Sequence, residues 1–144
     1  PGGEPLMAFT GTEGLVLLAG RVLFGVVLAF MGLNHFMQRE QMTGYAEYKG
    51  LPAPGFSVVA SGIVLIGGGL SVVAGVYPVV GAVALAGFLV ISALTMHDFW
   101  AVPEDDQQDE MTAFLKNLVM AGGALVVAAA GTQSWAYSVG LGLF

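Results

Sequence analysis

Eight residues of this chain have side chains whose types and positions could do chemistry. Asn34 and His35 close the first long apolar segment. His97, Asp98 and Trp100 close the third, in the stretch "SALTMHDFW". Lys116 and Asn117 open the fourth, and Arg21 stands alone inside the first. An imidazole can donate to a carbonyl oxygen, and a carboxylate beside it can orient the ring. The terminal set would therefore suit the ring of a quinone or a polar lipid headgroup. Trp, His and Lys are equally comfortable as simple anchors at a membrane rim, so anchoring stands beside the pocket as a reading. Two imidazoles on different segments, with no cysteine, make a poor metal or haem signature. The expectation is no metal, no haem and no intrinsic cofactor, with quinone as the candidate ligand. Lys116 is expected to snorkel to the rim or to pair with Asp98.

These residues reach one layer only if particular elements carry them there. The chain has 144 residues, 56% hydrophobic and only 10% charged, against about 25% charged in an ordinary soluble domain. From Gly50 to His97, and again from Asn117 to Phe144, there is no Asp, Glu, Lys or Arg. A membrane-spanning helix needs about 20 apolar residues. The first run holds two such helices and the second run one, with a further span before them. Spans are predicted over about 14–36, 56–75, 78–97 and 111–130. None alternates with the two-residue period of a membrane barrel strand. The first span is too long, and too poor in basic flanking residues, for a cleaved leader, so it is expected to stay. The fold expected is all-α: a single polytopic membrane domain over 1–144, an antiparallel bundle of four transmembrane helices.

Several local signals refine that picture. Only "VYP" separates spans two and three, with Pro78 suited to a first helical turn. Gly131 is expected to cap the fourth span. The polar stretch between spans one and two is expected to contribute a short helix along the membrane surface. Small residues spaced by four (Gly25 and Ala29; Ser57 and Ser61; Gly67, Ser71 and Gly75; Ala82 and Ala86; Ala124 and Ala128) are expected to line helix contacts. Asp105, Asp106, Asp109 and Glu110 are expected to precede the fourth helix and complement its dipole. Trp135 and Tyr137 are of the types that favour the headgroup level.

Four spans put the ends of the first and third on one face, with the start of the fourth. Asn34, His35, His97, Asp98, Trp100, Lys116 and Asn117 should then share a rim. Arg39, Lys49 and Lys116 border that side and Arg21 lies nearer the other, so the positive-inside rule assigns loops 37–55 and 98–110 to the cytoplasm. The setting expected is the plasma membrane of a prokaryote. The formal net charge of −6 and the lack of a basic patch argue against nucleic acid as a partner. Arg21, about 10 Å along its helix, has no acid at matching depth. It either binds an anionic group, or snorkels and hydrogen-bonds a neighbour's helix-end carbonyls.

The early arginine, "GLNHF" closing span one, "GLPAPG" before span two, and "HDFW" followed by "MTAFLKNLVMAGGAL" resemble the DoxX family, over about Gly14 to Gly131. The resemblance implies a four-helix integral membrane protein associated with oxidoreductase complexes, one branch resembling the membrane subunit of a thiosulfate:quinone oxidoreductase. Many relatives carry an acid in span two, in a pattern like "GxxE"; here "SGIVLIGGG" has Val64 or Leu65 at that place. The function this implies is a membrane subunit that offers a quinone or headgroup pocket to a redox partner. A non-enzymatic scaffold that oligomerises or holds a partner, and an anion transporter using Arg21, are the alternatives.

Overall fold

Pro at the first turn, glycine after the last, and uninterrupted apolar residues between them decide where the chain turns helical. The computed structural model describes residues 9–141. Helix α1 spans Gly11–Met37, α2 Arg39–Tyr48, α3 Pro54–Ala74, α4 Pro78–Met96 and α5 Glu104–Ala130, with one 3-10 turn at Phe99–Ala101. α1, α3, α4 with the turn that follows it, and α5 are each long and apolar enough to cross a membrane. The chain is an all-α integral membrane protein. α2 is the short amphipathic helix expected between the first two spans.

Pro54 and Pro78 occupy the first turns of α3 and α4, where the missing N–H would have no partner anyway. Gly75 ends α3 in the left-handed region at φ 73°. A side chain there would also strike Ser138, so glycine is required twice over.

Two expectations about α5 need correction. It begins at Glu104, not near 111, so the acidic stretch is inside the helix rather than before it. The apolar signal starts late, but nothing in residues 104–110 breaks a helix, and Glu104, Asp105 and Asp106 in its first turn suit the positive end of the dipole. With 27 residues, α5 is about 40 Å long and outreaches the roughly 30 Å hydrocarbon core. The loop foreseen over 98–110 is thus short. Gly131 is the C-cap residue, but at φ −68°, a conformation that does not demand glycine.

Packing follows the small residues, though not all of those expected. Gly25 meets Gly69 and Gly32 meets Gly62, so contacts climb α1 as they descend α3. Gly68 takes the Leu85 side chain of α4, and Gly81 takes Ser71. A Cβ added at Gly67 or Gly122 would meet nothing within 4 Å beyond its own helix. The α1–α3 seam uses Gly62 and Gly69, which puts Gly67 on the outer face. Leu28, Leu65, Val72, Leu85, Ala86 and Ala124 form the shared core.

The C-terminal segment folds back over the α3–α4 connection. The Val139 N–H donates to Ala74 O (2.7 Å) and the Tyr77 N–H to Leu141 O (2.8 Å). Trp135 is buried against the bundle, and its indole N–H donates to Ala130 O at 2.8 Å. Tyr137 is exposed.

Candidate functional site

At the end of the bundle where α1 and α4 finish and α3 and α5 begin, a cavity of about 300 Å³ lies between all five helices. That is the lower end of the range for small-molecule pockets. Val58, Leu65, Phe88 and Leu89 line it, with Met31 and Met96. His35 enters from the last turn of α1, His97 from the C-cap of α4, and Asn117 from α5. Met42, Tyr45 and Ala46 of α2, with Leu51, complete its lining. α2 presents Met42, Tyr45, Ala46 and Lys49 at the i, i+3, i+4, i+7 spacing that defines one helical face.

Lys49 locks α2 to the bundle. Its ammonium donates to Asp98 Oδ1 at 2.6 Å and to Glu110 Oε2 at 2.8 Å, with its side chain only 5% exposed. Burial alone would depress the Lys49 pKa, but the hydrogen bonds to Asp98 and Glu110 outweigh it and hold the pKa above the ordinary lysine value. Lys49 therefore stays charged. The Tyr45 hydroxyl donates to the same Glu110 carboxylate at 3.2 Å. Burial, and then the nearby Glu110 charge, raise the Tyr45 pKa and keep that phenol protonated.

Each residue singled out in the sequence now has a place. His35, His97 and Asn117 line the cavity together. His35 Nδ1 lies 2.7 Å from Met31 O, and Asn117 Nδ2 donates to Leu89 O at 3.2 Å. His97 Nδ1 is buried without a hydrogen bond, 3.5 Å from Glu110 Oε1. Asp98 sits at the same rim but pairs with Lys49, not with a histidine or with Lys116; the carboxylate beside His97 is Glu110. Lys116 is exposed and has no ion pair among the described residues. Asn34 is half-buried outside the cavity lining. Trp100 is 54% exposed and packs edge-on against Phe99 and Phe114.

Arg21 is elsewhere and differently employed. It lies about 15 Å along α1 and is fully buried. Nε donates to Val72 O (3.1 Å), NH2 to Val73 O (2.6 Å) and Tyr137 O (3.0 Å), and NH1 to Ala136 O (3.0 Å). The guanidinium also stacks over Trp135, 4.8 Å from the ring centroid. Val72 and Val73 are in the last turn of α3, where helix carbonyls lack intrahelical partners. Of the two readings open for Arg21, the structure takes the one in which it satisfies a neighbour's helix end.

Lys49, Glu110 and Tyr45 were not among the candidates. Lys49 had weighed only as an orientation signal, and Glu110 only as a complement to a dipole. Among the described residues, no three His, Asp or Glu side chains are grouped to hold a metal ion.

The DoxX family model matches residues 16–98, more than half of the chain. The chain belongs to the DoxX family. Membership places it among membrane proteins linked to oxidoreductase function. The matched part of this DoxX-family chain carries Arg21, His35, Lys49, His97 and Asp98 but stops before α5, so "MTAFLKNLVMAGGAL" lies outside it. No curated protein and no solved structure matches the chain.

Proposed function

We propose that this DoxX-family protein is the membrane subunit of a quinone-linked oxidoreductase, providing a cavity for the quinone ring rather than a redox centre of its own. The observation that carries this reading is the meeting of His35 and His97, far apart in the sequence, in one largely apolar cavity. A quinone ring needs an apolar slot with a few polar groups at its oxygens, and its isoprenoid tail suits the lipid around the bundle. The chain has no cysteine for a cluster and no dinucleotide fingerprint, so electrons come from a partner protein. With Arg39, Lys49 and Lys116 on the cavity side, that partner meets the cytoplasmic rim of a prokaryotic plasma membrane.

Some of the features that prompted the two other readings are used inside the chain. Gly25, Gly32, Gly62 and Gly69 are occupied within the chain, while the outward Gly67 and Gly122 keep the scaffold as the second reading. Arg21 is engaged by four carbonyls, so it does not motivate an anion path.

The test is saturable binding of a short-chain quinone to the protein in lipid nanodiscs. Ser61 lines the cavity, and Ser61→Trp should fill it. The expected result is affinity reduced at least about tenfold in the variant, with its melting temperature retained. Equal binding by both proteins would mean that the quinone, if held at all, is held elsewhere.

A further inference from the structure

We infer that Ser92 is a ligand-binding residue: its hydroxyl, with the unused half of the Asn117 amide beside it, takes one oxygen of the ring held in the cavity. The inference rests on the ring-binding reading above and adds the polar contact that fixes the ring's position.

A hydroxyl on a membrane helix commonly turns back to a carbonyl of its own helix, one turn away. Ser61 Oγ donates to Ser57 O at 2.7 Å, Thr95 Oγ1 to Ile91 O at 2.8 Å and Thr112 Oγ1 to Gln108 O at 3.0 Å. Ser57 and Ser71 reach carbonyls just outside the helix, Pro52 O at 2.8 Å and Val76 O at 2.6 Å. Together with Ser92, these are the serine and threonine residues of α3, α4 and α5. Ser92 stands apart from them. Its side chain lines the cavity, and its hydroxyl has no hydrogen-bond partner among the described residues. Leaving a polar group unmatched in such a place costs more than a made bond gains. A polar atom that the fold does not use, facing an apolar cavity, marks where a polar atom of the ligand belongs.

Asn117 provides the second half of the contact. It reaches from α5 to α4, where Nδ2 donates to Leu89 O at 3.2 Å. Leu89 and Ser92 are three residues apart, so they are neighbours on one helical face, and both line the cavity. The bond to Leu89 therefore holds the Asn117 amide next to the Ser92 hydroxyl. It uses one N–H only, and leaves the other N–H and Oδ1 to a ligand. Asn117 is just 8% exposed, so those atoms face the cavity lining rather than an open surface. A hydroxyl and an amide can each donate or accept. The same pair can hold a quinone carbonyl oxygen and the hydroxyl it becomes on reduction, so the ring keeps its place in both redox states.

The test uses tetramethylquinone, isotope-labelled at its carbonyl carbons, with the parent and Ser92→Ala proteins in nanodiscs. Equilibrium dialysis against empty nanodiscs gives the affinity, and infrared difference spectroscopy gives the carbonyl stretch of the bound ring. The expected result is affinity about three- to tenfold weaker in Ser92→Ala, with one carbonyl stretch moved back toward its value in a non-donating solvent. The melting temperature without ligand should be unchanged or higher, because no internal hydrogen bond is lost. The same carbonyl stretch in both proteins would overturn the inference whatever the affinities, and would leave the ring-binding reading in place. A lower melting temperature in Ser92→Ala would also overturn it, since the hydroxyl would then serve the fold. No binding to the parent protein above empty nanodiscs would remove both readings.

Discussion

Replacing Arg21 by Leu is expected to abolish recovery of folded protein, or to lower its melting temperature further than any substitution in the cavity. Four backbone carbonyls lose their donor at once: Val72 and Val73 at the end of α3, and Ala136 and Tyr137 in the C-terminal segment. A buried polar group left without a partner costs about 1–3 kcal/mol, and lipid offers no water to replace the donor. Four such losses are not strictly additive, but together they approach the roughly 5–15 kcal/mol that holds a folded domain together. Arg21→Lys should recover part of the loss. It keeps the charge near the negative end of the α3 dipole, but one ammonium cannot reproduce the fork that reaches both segments. Thermal or detergent-titrated unfolding of the three proteins measures this. An Arg21→Leu protein as stable as the parent would contradict the capping role.

The second large effect is expected at the α1–α3 seam. A Cβ on Gly69 would run into the carbonyl oxygen of Gly25 and come within 3.0 Å of the Ala29 nitrogen. These are backbone atoms, which cannot swing aside as a side chain would. Gly69→Val must therefore push α1 and α3 apart, loosening the Gly32–Gly62 contact too. Overpacking typically costs 1–3 kcal/mol, and a clash with backbone belongs at or above the top of that range, about 3 kcal/mol. Gly67 provides the control, since an added Cβ there would meet nothing within 4 Å beyond its own helix. Gly67→Ala should be neutral or stabilise by up to about 1 kcal/mol through helix propensity. Opposite signs two residues apart, read by the same unfolding assay, would distinguish close packing from a general intolerance of change. Destabilisation of similar size at both positions would contradict the seam.

The four spans were legible because lipid leaves a direct compositional trace, and uncharged runs bounded by Pro52, Pro54, Pro78 and Asp98 leave few alternatives. The start of α5 was not legible from hydropathy, because residues 104–110 are outside the apolar run while still helical. The meeting of His35, His97 and Asn117 followed from the parity of the spans alone. What escaped was the part played by α2. Met42, Tyr45, Ala46 and Lys49 do share one face of a helix, a period the polar composition of that stretch obscured. The Lys49–Glu110 pair could have been found by asking which base and acid lie on the same side of the membrane in adjacent polar segments. The partners of Arg21 could not, since backbone carbonyls carry no sequence signature. The contact of Trp135 with Arg21 was hidden for a related reason: residue type says nothing of which cation an indole packs against.

The proposed binding place is the cavity where the ends of α1 and α4 meet α2, α3 and α5. A photoreactive quinone analogue, activated on the protein in nanodiscs and mapped by peptide mass, reports its position directly. Labels are predicted on peptides carrying Met31, Met42 and Met96, and they should disappear when excess hydroquinone competes. Labels spread over outward residues such as Val16, Val119 and Val126, which are exposed on the bundle surface, and unchanged by competitor, would contradict it.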